Sequence, residues 1–163
     1  MVFLKKAHCN GPALKTLDVS DGAGPIVIGV DASLEGWGVM LQQEDENKDR
    51  HTCHYESGLW STNEQRYDAG KRDCRGLMKP LKEFHNYIYG VRFFMQTNVY
   101  TLVHQLYVPD NDLPGALVTR WIAWIRLFQF YVKHIPRKLN GGAHSLSRWP
   151  QGEWEPEPEE EDD

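Results

Sequence analysis

The chain has 163 residues, 40% hydrophobic and 12% aromatic, which is enough to enclose one substantial core and too little for two. No apolar run approaches the ~18 to 20 residues of a membrane span and the amino end lacks a signal peptide's apolar stretch, so the expected setting is intracellular, cytoplasmic or nuclear, without a membrane. The net charge of −5 is uneven: from Glu153 onward eight of eleven residues are acidic, leaving 18 basic against 15 acidic residues in a mildly cationic body compatible with a nucleic-acid surface.

Residues 1–24 read as a connecting segment. The run Ile26-Val27-Ile28-Gly29-Val30 then predicts a strand over residues 26–31, closed by Asp31. A carboxylate on a buried strand is costly unless it is paired, hydrogen-bonded or bound to a metal, so chemistry is sought there first. Gly36-Trp37-Gly38 opens a second strand, residues 36–42; no helix start follows it, which excludes a phosphate-binding loop. A third strand over residues 52–60 completes an antiparallel meander. His51-x-Cys53-His54 within it holds soft metal ligands, but a strand turns His51 and Cys53 to one side and His54 to the other, as an ordinary polar strand does.

A long helix should follow, capped by Thr62 or Asn63, with Tyr67, Cys74, Leu77, Met78, Leu81, Phe84 and Ile88 forming one buried stripe. Asp73 borders that stripe. Pro80 lies inside the helix and removes a hydrogen bond, at about 3 kcal/mol unless a kink absorbs it. Lys71, Arg72, Arg75, Lys79 and Lys82 are candidates for phosphate contact, the alternative being a solvated helix face. Residues 91–97 predict a fourth strand, 101–106 a short helix and 109–114 a loop. Residues 115–127 predict a second substantial helix whose Leu117, Trp121, Trp124, Ile125 and Phe128 read as core rather than as a base-stacking platform. A fifth strand, residues 130–135, leads through Gly141-Gly142 to a terminal helix starting over 143–148. Residues 25–150 thus form one α/β domain, a five-stranded mixed sheet with flanking helices. Residues 151–163 form an acidic disordered tail, or a tethered competitor for basic residues. Cys9, Cys53 and Cys74, odd in number and scattered, argue against a disulfide framework.

Several blocks in order carry a resemblance: Val30-Asp31-Ala32-Ser33, Glu56-Ser57-Gly58-Leu59-Trp60, residues 67–77, Tyr87-Ile88-Tyr89-Gly90, residues 115–128 and Leu146-Ser147-Arg148. From Val2 to about Pro150 the chain resembles the ribonuclease H domain that follows the reverse transcriptase in gypsy-type LTR retrotransposon polyproteins, most closely fungal ones. The resemblance implies a ribonuclease H-like fold and cleavage of the RNA strand of an RNA/DNA hybrid. It also implies two divalent ions, Mg2+ or Mn2+, held by four carboxylates so that attacking water and leaving oxygen are both stabilised.

The family's four positions fall on Asp31, Asp73, Asn98 and His144, of which Asp31 and Asp73 remain as metal carboxylates. Asp73 is one methylene shorter than the family's glutamate. Asn98 keeps an oxygen and loses the charge, while His144 offers a nitrogen better suited to softer metals. The histidine that in the family often helps product leave falls on Asn140. Catalysis is therefore expected to be weak or absent, with ion binding weakened. Three readings stay open: a weak, manganese-dependent nuclease relying on Asp31 and Asp73; a silent module, domesticated or accessory, binding nucleic acid or a protein partner; and an unselected retroelement remnant. Candidate partners are an RNA/DNA hybrid or other nucleic acid and a separate reverse transcriptase subunit. No polymerase domain is expected in this chain.

Overall fold

The computed structural model describes residues 14–107, 109 and 115–139. Cys9, Asn140, His144, Leu146-Ser147-Arg148, the terminal helix, the acidic tail and most of the 109–114 loop lie outside the described residues.

Strands β1 (Ile26–Ala32), β2 (Gly36–Glu44) and β3 (Arg50–Leu59) form the expected antiparallel meander. Strands β4 (Phe93–Thr97) and β5 (Phe130–His134) join β1 in parallel, giving the sheet order β3-β2-β1-β4-β5. Parallel neighbours need a crossover, and helices supply it. Helices α1 (Ala69–Glu83) and α2 (His85–Ile88) lie between β3 and β4; α3 (Tyr100–Tyr107) and α4 (Gly115–Ile125) lie between β4 and β5.

Period-two alternation along β1 separates its two faces. Ile26, Ile28 and Val30 enter the main core with Leu77 and Leu81 of α1, Ile88 of α2 and Val118, Trp121, Ile122 and Ile125 of α4. Trp121 and Phe128 are buried and Trp124 packs against them, so this aromatic group is core. Val27, Gly29 and Asp31 take the opposite face.

Two local expectations are corrected. The long helix is divided at Phe84 (φ −93, ψ 5) into α1 and α2, and Pro80 lies in the last turn of α1, where Phe84 N–H closes on the Pro80 carbonyl at 2.9 Å. The cap of α1 is neither Thr62 nor Asn63 but Asp68, whose Oδ1 accepts from the Lys71 N–H at 2.9 Å. Upstream, Ser61 and Glu64 form a reciprocal pair around a 3₁₀ turn: Ser61 N–H donates to Glu64 Oε2 at 3.0 Å and Glu64 N–H to Ser61 Oγ at 3.3 Å. Ser-x-x-Glu is the sequence mark of that arrangement.

Candidate active site at the ends of the parallel strands

Pairing of Val30 with Thr97 and of Thr97 with His134 brings β1, β4 and β5 to one edge in register. One residue further, Asp31 and Asn98 stand side by side at the carboxyl ends of parallel strands, where open α/β sheets receive ligands. Asp31 is only 2% exposed. The turn behind it is fixed by the Ser33 N–H on the Gly36 carbonyl at 2.8 Å and by Trp60, whose buried Nε1–H donates to the Ser33 carbonyl at 2.9 Å.

Helix α1 supplies the third group. A Cβ at Gly76 would lie 2.8 Å from the Cβ of Ala32, so a glycine is what lets α1 approach the end of β1 this closely. Asp73 precedes Gly76 by one turn on the same side. Its carboxyl pKa is pushed up to about 6, chiefly by burial, with the charge of Asp31 adding to the effect and Arg72 opposing it. Two carboxylates that feel one another in a poorly solvated place are arranged to share a cation. Beside them the Asn98 side-chain oxygen is buried and has no hydrogen-bond partner. An orphaned buried acceptor is costly, and a hard cation would satisfy it. The donors are all oxygens, which suits Mg2+ or Mn2+. Among the described residues no three His, Cys, Asp or Glu side chains converge to hold a metal, His51-x-Cys53-His54 included. His51 is instead taken up by Asp45 at 2.6 Å, and the His54 ring sets its edge against Phe84.

Of the four residues singled out for catalysis, Asp31 and Asp73 lie within electrostatic reach of one another, Asn98 follows the strand row paired with Val30, and His144 lies outside the described residues. The basic set divides. Arg75 is corrected: it is 7% exposed, donates from Nε to Glu64 Oε1 at 2.7 Å and lies over the Trp121 ring at 5.7 Å, so it is an internal tie and not a phosphate contact. Lys79 also leans on Glu64, at 3.7 Å. Arg72 donates to the Tyr67 carbonyl at 3.0 Å, and Lys71 stays half-exposed beside Asp68.

Two residues of the site's surroundings were not singled out. Glu64 is buried, which pushes its pKa up, yet Arg75, the Ser61 N–H and Lys79 outweigh burial and hold it below the usual carboxylate value. His134 closes β5 with Nε2 at 3.2 Å from the Asn98 carbonyl and its ring edge-on to Tyr100. Glu64 was legible in Ser61-x-x-Glu64; His134 had no local signal, because only strand pairing sets it beside Asn98.

A mixed five-stranded sheet in this order, flanking helices and acids at the ends of parallel strands define a ribonuclease H-like domain. The model of the RNase H-like domain found in reverse transcriptase matches residues 21–128, and the chain belongs to that family. The enzymatic polyprotein of Cauliflower mosaic virus (strain NY8153) is 30% identical over 129 residues, covering 76% of this chain and 19% of the viral protein. The genome polyprotein of Petunia vein clearing virus (isolate Shepherd) is 26% identical over 125 residues, covering 77% of this chain and 6% of the polyprotein. The chain therefore spans less than a quarter of these relatives. Among solved structures, LC11-RNase H1 in complex with RNA/DNA hybrid has the same fold at a TM-score of 0.54 and 19% identity, covering 74% of this chain and 91% of that one.

Proposed function

We propose that this chain is the ribonuclease H-like unit of a gypsy-type retroelement reverse transcriptase, one that engages RNA/DNA hybrid and has lost normal hydrolysis. The observation that carries the reading is the trio of Asp31, Asp73 and the orphaned Asn98 oxygen at the strand ends. With Asn98 neutral and His144 in the fourth position, the site offers two formal negative charges. That suits one divalent ion and falls short of the charge that holds two together. Asp31, Asp73 and Asn98 would hold the ion, and a bound ion would polarise a phosphate oxygen or activate water. Asp31 and Asp73 supply the charge, while the neutral amide adds an oxygen without adding to it. Lys71, half-exposed beside Asp68, remains for the hybrid backbone, whereas Arg72 and Lys79 are drawn toward the Tyr67 carbonyl and Glu64. Intracellular action beside a separate polymerase subunit fits this assignment.

The experiment restores the charge. Asp73→Glu, Asn98→Asp and His144→Asp in one protein are expected to bring magnesium-dependent cleavage of an RNA/DNA hybrid well above the parent's. A folded triple variant that binds hybrid without cutting it contradicts the account. A second reading, a silent module that binds nucleic acid or a protein partner, is favoured by the body's positive balance once the acidic end is set aside. It is distinguished by a folded triple variant that still does not cut, and by salt-sensitive nucleic-acid binding in the parent protein that Asp31→Asn leaves unchanged with or without divalent ion.

A further inference from the structure

We propose that the exposed face of β4 and β5 is a binding platform for single-stranded nucleic acid, separate from the ion site. Phe94 and Tyr131 pair across the two strands, their rings stacked at 5.7 Å with 30° between planes, yet they remain 41% and 52% exposed. Stacked aromatic rings side by side on a sheet are normally covered, because each exposed ring forgoes its burial energy. These are flanked by cations. The Arg92 guanidinium lies 5.9 Å over the Tyr131 ring, and Lys133, exposed, follows one row further along β5, paired with Gln96. Gln96 itself is covered and accepts from Arg50 Nη1 at 2.9 Å, so the neighbouring row is polar.

Rings offering flat apolar faces between positive charges match bases and phosphates, and do not match a protein core, which would want a wider apolar patch. A duplex hides its base faces, so the occupant is a single strand. Register places Phe94 beside Val27 on the face that also bears Asp31 and Asn98, four residues further along. At ~3.3 Å per residue that is about 13 Å, or about four nucleotides of a stacked strand at ~3.4 Å each.

The test uses the full chain and a fluorescein-labelled 12-nucleotide oligouridylate, followed by anisotropy, with 4-thiouridine crosslinking to map the bound surface. Phe94→Ala with Tyr131→Ala is expected to weaken binding at least tenfold with an unchanged melting temperature. Arg92→Gln with Lys133→Gln is expected to lower the salt slope by about 1.4, at ~0.7 for each phosphate no longer neutralised on a single strand. Crosslinks should fall on residues of β4 and β5. Manganese affinity should be the same in both pairs of variants, which separates failure of this platform from failure of the ion site. Undiminished oligonucleotide binding in the ring variant, no binding by the parent, or crosslinks confined elsewhere would overturn the proposal; the first of these would leave the face to a protein.

Discussion

At the scale of residues, the site is a matter of charge in a place that water reaches poorly. Asp73 ionises near pH 6 in the folded protein against about 3.9 in the unfolded chain. Its raised value means that the folded state holds the proton more tightly, so its contribution to stability is greatest at low pH and declines as pH rises from about 4 to 6. Without divalent ion, Asp73→Asn should therefore match the parent near pH 4 and become more stable above pH 6, by on the order of 1 kcal/mol once solvent screening of a partly exposed group is allowed for. Thermal melts across that range check the sign; an advantage confined to low pH contradicts it. Arg75 makes the contrasting case. Sequence placed it with the phosphate contacts because helical spacing could not tell that Glu64, eleven residues upstream, waits beneath it. Breaking a buried pair strands a charge, so Arg75→Ala should cost about 3 to 5 kcal/mol in denaturant melts. Lys71→Gln should leave stability nearly unchanged and reduce the salt slope of hybrid binding by about one. The reverse pattern would return Arg75 to the binding surface.

At the scale of elements, the five strands could be read because β1, β2, β4 and β5 each carry an apolar run and polar β3 follows β2 after a short link. Their order in the sheet was not legible, since pairing of β4 with β1 and β5 is set by the helical crossovers. The division of the long helix at Phe84 escaped, since the apolar stripe continues across it and a stripe records which side is buried, not where the backbone turns. The cap moved to Asp68 for a similar reason: Thr62, Asn63 and Asp68 are all competent caps, and the Ser61–Glu64 turn claims the first segment. What brings Asp73 to Asp31 was not visible at all, because Gly76 matters only through its contact with Ala32. Gly76→Ala should push α1 away from β1, lowering stability by about 1 to 3 kcal/mol and weakening manganese binding with it. Adding Ala32→Gly should restore both, as calorimetry and melts can show. A single variant with full stability and full manganese affinity would mean that this contact does not set the distance between helix and strand.

At the scale of the whole molecule, the fold is that of a ribonuclease H-like domain of reverse transcriptase, and its parts conflict in one place only. The core is complete from β1 to α4, with Ile28, Val39, Leu77, Leu81, Phe93 and Ile122 all closed to solvent, so the scaffold behind the strand ends is intact. Such a scaffold holds Asp31, Asp73 and Asn98 in place whether or not they hydrolyse anything, and for that reason sequence resemblance reached the fold more readily than the activity. The body's positive balance and the open rings of β4 and β5 point to nucleic acid; the two carboxylates and neutral Asn98 of the proposed site fit one bound ion rather than two. The most direct measurement is cleavage of an end-labelled RNA/DNA hybrid by the purified chain in magnesium and then in manganese, with Asp31→Asn as the control for contaminating nuclease. The account predicts hybrid binding with no Asp31-dependent cutting in magnesium and at most a trace in manganese. Rapid cutting in magnesium that vanishes in Asp31→Asn would contradict it and make the chain a working nuclease.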